Sequence, residues 1–222
     1  MCFSAPASFV TAGLTGIAGI VSLSRISTIR EMPLAAVPIF FAVQQGIEGT
    51  LWLALPSDPL GSLVPGLTLV FLLFAEVLWP IYAPITVWLV ESSAQRRRAM
   101  AVCVVLGSGV GGYLLWWILS HPFSAAIVVN HVVYTTAERH SDVLGFIYLL
   151  ATCVPMLLSS RRCLVALGAI VLTGSVAAYL FYWEAYTSVW CYFAATASVL
   201  IVGNFEYAHR QRRRLASALG GA

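Results

Sequence analysis

Long apolar runs alternate along this chain with short polar breaks. A run of about 20 residues is what an α-helix needs to cross about 30 Å of hydrocarbon at about 1.5 Å per residue. Seven runs approach or exceed that length, at roughly 7–24, 33–55, 64–90, 99–119, 143–159, 163–183 and 188–205. One connection, 120–142, is long, and its middle, AAIVVNHVVYTT, is too apolar and too rich in β-branched residues for a free loop. The pattern predicts an all-α bundle of seven transmembrane helices. Residues 120–142 fold back over one mouth as a short helix or hairpin, a lid, and a basic tail, 206–222, follows the last helix.

Composition places the chain in the membrane, since 60% of residues are hydrophobic and 9% are charged, with a mean hydropathy of +0.89. No soluble domain has that balance, so the expected partner is the lipid bilayer and not nucleic acid. Every basic residue is an arginine, and the arginines fall in alternate breaks. They are Arg25 and Arg30; Arg96, Arg97 and Arg98; Arg161 and Arg162; and Arg210, Arg212, Arg213 and Arg214, with Arg139 alone on the other side. By the positive-inside rule the N-terminus is outside and the C-terminus inside, as in a multi-pass protein of the bacterial inner membrane. The first run has no basic residues before it, so it reads as a helix and not a signal peptide. The tail reads as an anchor against anionic headgroups.

Polar residues inside such runs are costly, and they carry the candidate chemistry. Gln44 and Glu48 are four apart and share one helix face, with Gln45 beside them. Glu48 lies roughly 10 Å inside the outer end of its span. Glu76 sits near mid-depth in the third span, as an ion or proton site or as a protonated carboxyl held between helices. Pro80 and Pro84 follow it and should free the carbonyls of Glu76 and Pro80, kinking the helix. Ala12, Gly16 and Gly19 in the first span, and Gly107, Gly111 and Gly112 in the fourth, are spaced as packing seams.

The long connection carries His121, His131 and His140, with His131 inside the apolar run and Tyr134 three residues on. Cys2 and Cys191 belong to the outer face. There they could join as a disulfide, or with His131 and Glu48 could supply the S, N and O ligands of a zinc or copper ion. No CxxC or HExxH accompanies them.

The opening MCFSAPAS, the segments QQGIEGTLW, LWPIYAP and NHVVY, and SVWCYFAA near the end together resemble a family of small bacterial multi-spanning membrane proteins that begin Met-Cys-Phe-Ser-Ala. The resemblance covers most of the chain and implies no activity. It directs attention to Cys2, Glu48, Trp79, Pro80, His131, Tyr134, Trp190 and Cys191. The paired HxxxH on the last helix of the seven-helix zinc hydrolases, which include alkaline ceramidases, is missing here.

The expected site is a polar pocket in the outer half of the bundle. It is built on Glu48, Gln44, His131 and Cys191, with Gln45, Glu76, Trp79, Tyr134 and Trp190 around them. Three functions fit it. One is a membrane-embedded enzyme, metal-dependent in one form, with Glu48 as general base or ligand and His131 as ligand or acid/base. Another is a cation- or proton-coupled transporter, or a protein binding a small molecule or lipid, that uses Glu48 and Glu76. The third is a structural or accessory subunit.

Overall fold

The computed structural model describes residues 4–58, 61–136 and 142–220. Cys2, Arg139 and His140 therefore lie outside the described residues. Helix α1 (Ala5–Ser24) starts where Ser4 accepts the Ala7 N–H at 3.4 Å and Pro6 presets the first turn. Next come α2 (Met32–Ser57) and α3 (Leu63–Leu72), which passes through a π-turn, Leu73–Leu78, into α4 (Trp79–Val90). Helix α5 (Ala94–Ser120) is followed by strands β1 (Phe123–Val128) and β2 (His131–Thr136), then by α6 (Asp142–Leu157) and α7 (Arg162–Phe181). A break at Val199 separates α8 (Tyr186–Ser198) from α9 (Leu200–Gly220).

Six helical stretches are long and apolar enough to cross a membrane: Ala5–Ser24, Ile29–Ser57, Leu63–Val90, Ala94–Ser120, Arg162–Phe181 and Tyr186–Arg214. This is the architecture of a multi-pass membrane protein. The run expected at 143–159 gives the shorter apolar helix Val143–Leu157. Its fifteen residues rise about 22 Å, less than the hydrocarbon thickness. Helix α9 continues to Gly220, so the arginines of the basic tail ride on the last helix.

Contacts between distant segments bring the arginine-bearing breaks to one end of the bundle. Arg25 Nε pairs with Glu206 at 3.2 Å, and Arg212 Nη2 donates to the Arg25 carbonyl at 2.8 Å. Arg161 pairs with Glu31 at 3.3 Å, and Arg96 Nη1 donates to the Leu158 carbonyl at 2.9 Å. Glu91, nearly buried, accepts from Ser160 N (2.7 Å), Ser160 Oγ (2.8 Å), Ser93 N (2.9 Å) and Ser159 Oγ (3.3 Å). Burial pushes the Glu91 carboxyl up, but these hydrogen bonds outweigh it and hold the group below its ordinary value.

At the opposite end β1 and β2 form an antiparallel hairpin in register from Phe123–Thr136 to Val128–His131. Its two-residue turn places Val129 and Asn130 at φ 43° and 62°. Positive φ at both positions matches the strand twist; Asn accepts it readily, whereas Val129, 84% exposed, does so against its β-branch. The hairpin packs on α2 and α3 through β1 and on α8 through β2. Val132 is fully buried in an apolar cluster with Leu51, Leu55, Val64, Phe71, Ala75 and Cys191. Tyr134, on the same strand face, stacks on Phe71 with ring centroids 4.2 Å apart.

Candidate functional site

Glu48, Gln44 and Gln45 have no exposed surface. Ser188, from the first turn of α8, donates to Glu48 Oε1 at 2.5 Å, and Gln45 Nε2 donates to Glu48 Oε2 at 3.3 Å. Gln45 presents its nitrogen to Glu48, and its carbonyl is turned elsewhere. Trp79 Nε1, a donor only, binds Gln44 Oε1 at 2.8 Å and fixes that amide. One buried atom, the acceptor Gln45 Oε1, is then without a hydrogen-bond partner among the described residues, and Gln44 Nε2 has only the weak acceptor Cys191 Sγ beside it. The Cys191 thiol neighbours Gln44 and lies within electrostatic reach of Glu48 and Glu76.

Trp79 reaches Gln44 because of the turn that precedes it. The Trp79 backbone N–H donates to the Phe74 carbonyl, five residues back, in place of Ala75. In that register the Ala75 carbonyl should receive the N–H of residue 80, which is Pro80 and has none. Tyr148 of α6 supplies the missing donor through its hydroxyl. Pro84 likewise frees the Pro80 carbonyl, and α5 meets it at Gly107, where a Cβ would lie 1.8 Å from that oxygen. Where a kink with a freed Glu76 carbonyl was expected, the helix carries a π-turn, which frees the Ala75 carbonyl instead; Tyr148 of α6 satisfies it, and α5 packs close at Gly107.

Beside the polar cluster is a cavity of about 60 Å³. Trp79, Trp190 and Cys191 form its wall near Glu48, and Leu34, Val87 and Ile201 form it toward the arginine end. The hydroxyls in this wall are turned to backbone: Thr86 donates to Ala83 O, Thr152 to Tyr148 O and Ser198 to Ala195 O. Its surface is therefore apolar along most of its length. Trp79 stacks on Phe41 at 4.0 Å, and Trp190 packs between Tyr148 and Tyr186 at 5.1 and 5.7 Å.

Of the residues singled out in the sequence, Gln44, Gln45, Glu48, Trp79, Trp190 and Cys191 are buried in the bundle interior, and the half-buried Glu76 lies within electrostatic reach of Cys191. Tyr134 lies above them in the apolar cluster that contains Cys191. His131 leaves its strand on the face opposite Val132 and Tyr134, and its ring meets Tyr182 edge-on at 5.4 Å. Burial lowers the imidazole below its ordinary value. No group of three or more His, Cys, Asp and Glu side chains that could hold a metal occurs among the described residues. Glu48, His131 and Cys191 are not gathered as one; Cys2, the fourth ligand expected, lies outside those residues. Cys191 is a free thiol. Sequence reasoning missed Ser188 and Tyr148. Ser188 precedes Cys191 by one helical turn and could have been found on its face, whereas nothing in the local sequence marks Tyr148.

Fold and site together define a helical, membrane-spanning protein with a closed polar cluster in its interior. A family model matches residues 1–218, and the chain belongs to that family, a family of unknown function (DUF6629). No curated protein and no solved structure matches the chain.

Proposed function

We propose that this is a seven-helix protein of the bacterial inner membrane, N-terminus outside and C-terminus inside, that binds a small molecule in its interior. The clustering of the arginine-bearing breaks at one end supports that orientation. Helix α6, short as it is, joins the hairpin end to the arginine end and counts as a crossing. The hairpin serves as the lid on the outer side.

The observation that carries the ligand reading is Gln45 Oε1, an acceptor without a hydrogen-bond partner, together with Gln44 Nε2, which has only the Cys191 thiol beside it. Both are buried in the cluster around Glu48; the indole of Trp79 fixes the Gln44 amide, and Gln45 presents its nitrogen to Glu48. Buried polar atoms without partners are costly, at about 1–3 kcal/mol each, and call for a water or ligand group. A hydroxyl, or an amine in its neutral form, can both donate and accept there, with a short apolar body in the cavity behind Trp79. Glu48 and Ser188 complete the head-group site, and Cys191 borders both parts. A through-going transport route is less well supported, because the wall toward the arginine end is apolar apart from hydroxyls engaged with backbone.

Purified protein in detergent, titrated with 1-butanol, butylamine and xenon, tests this reading by thermal unfolding and tryptophan fluorescence. Stabilisation by the alcohol or amine that is lost in Gln44→Met and Gln45→Met is the expected result. Stabilisation by xenon alone would reduce the site to an apolar void, and equal responses in the Met variants would remove the glutamines from it.

A further inference from the structure

The π-turn at Leu73–Leu78 is the point where the site meets the rest of the bundle. We infer that it is a two-register element latched by Tyr148, and that the latch sets whether Trp79 holds Gln44. The inference rests on the ligand reading only for its consequence for binding, since the latch itself concerns the backbone and two side chains.

The two registers follow from hydrogen-bond bookkeeping. In the observed one, Trp79 N–H is given to Phe74 O, and Ala75 O is left to Tyr148 because residue 80 is proline. In an unbroken α-helix the same N–H would go to Ala75 O, which would then no longer depend on Tyr148 for a donor, and the Glu76 carbonyl would be the one left by Pro80. Each register leaves a different group to be satisfied from outside the helix, and Pro80 prevents the helix from satisfying Ala75 by itself in the π form. Converting one to the other removes one residue's worth of excess winding, so Trp79 turns by about 100° relative to α3. The indole N–H, now 2.8 Å from Gln44 Oε1, cannot keep that bond through such a turn.

Tyr148 is placed to read the site from its far side. It lies against Trp190 and within electrostatic reach of Cys191 and Glu76, and it lines the same cavity as Trp79. A ligand that fills the cavity therefore touches both the latch and the residue it positions. Tyr148 is a positioning residue that acts through Trp79, and binding and register are coupled.

The test labels the protein with 5-fluorotryptophan in detergent and assigns the Trp79 signal by its loss in Trp79→Phe. Tyr148→Phe, which removes only the hydroxyl, should shift the Trp79 resonance and leave that of Trp116, on the exposed face of α5, in place. An unmoved Trp79 resonance in a folded Tyr148→Phe protein overturns the latch, whether or not any ligand binds. If that variant does not fold, slowed hydrogen exchange at the wild-type Trp79 indole relative to Tyr148→Met, which fills the position without a donor, serves instead, and equal exchange overturns the inference. For butylamine or 1-butanol, Tyr148→Phe should weaken binding about tenfold if the competent register falls to about a tenth of the population. That loss should vanish in a Trp79→Phe background. Absence of binding in the wild type, with the resonance shift present, rejects the ligand reading and leaves the latch standing.

Discussion

Trp79 and Gln44 stand 35 positions apart in the chain and are joined in the bundle interior by a 2.8 Å hydrogen bond from indole to amide. Because the indole can only donate, the bond fixes which way the amide points. It turns the Gln44 nitrogen toward Cys191 and the site. Trp79→Phe should therefore destabilise the protein by about 1–3 kcal/mol, since it leaves the Gln44 oxygen buried without a donor. Gln44→Met in the same background should recover part of the loss. Unfolding in detergent mixtures measures both, and a neutral Trp79→Phe would mean the bond contributes nothing net.

Gly107 and Gly112 lie on one helix, and the structure assigns them opposite sensitivities. A Cβ on Gly107 would sit 1.8 Å from the Pro80 carbonyl oxygen, which is backbone and cannot move aside, whereas Gly112 meets open space. Gly107→Ala should cost about 3 kcal/mol or more through forced separation of α4 and α5. Gly112→Ala should be neutral or slightly stabilising, through helix propensity. Equal effects in an unfolding assay would contradict the packing of these helices.

Glu91 ties the start of α5 to the loop before α7 through Ser93, Ser159 and Ser160. Its carboxyl is held below the ordinary value, so its contribution to stability is present above the unfolded-state value near pH 4 and is lost as pH falls through the folded-state value. Glu91→Gln should lower stability at pH 7 by about 1–3 kcal/mol and flatten the acid limb of the stability curve. A pH series of unfolding midpoints for both proteins decides it. An unchanged acid limb would place the acid sensitivity elsewhere.

The proposed orientation is open to a direct test at Val129, the exposed tip of the hairpin. Val129→Cys should react with a membrane-impermeant maleimide added to intact cells, while a reporter fused after Arg214 should be active in the cytoplasm. Labelling of Val129→Cys only after cell rupture would invert the topology and with it the assignment of the hairpin as an outer lid.

Hydropathy and arginine spacing determined the membrane-spanning class, the approximate spans and the gathering of Arg25, Arg96, Arg161 and Arg212 toward one end. Those properties are periodic and local, since a helix long enough to cross must be apolar along its length. The Gln44–Glu48 face was also legible, because four residues make one helical turn. Pairings between helices were not: Ser188 with Glu48, Tyr148 with Ala75, and Trp79 with Gln44 depend on how each helix is rotated about its axis, which depth in the membrane does not specify. The different surroundings of Gly107 and Gly112 have the same origin. His131 and Tyr134 show the remaining gap: three residues apart, they would share a helix face, but on a strand they point to opposite sides. Tertiary structure decided these points because side-chain direction depends on backbone type and on the neighbour packed against it, neither of which is encoded within a single span.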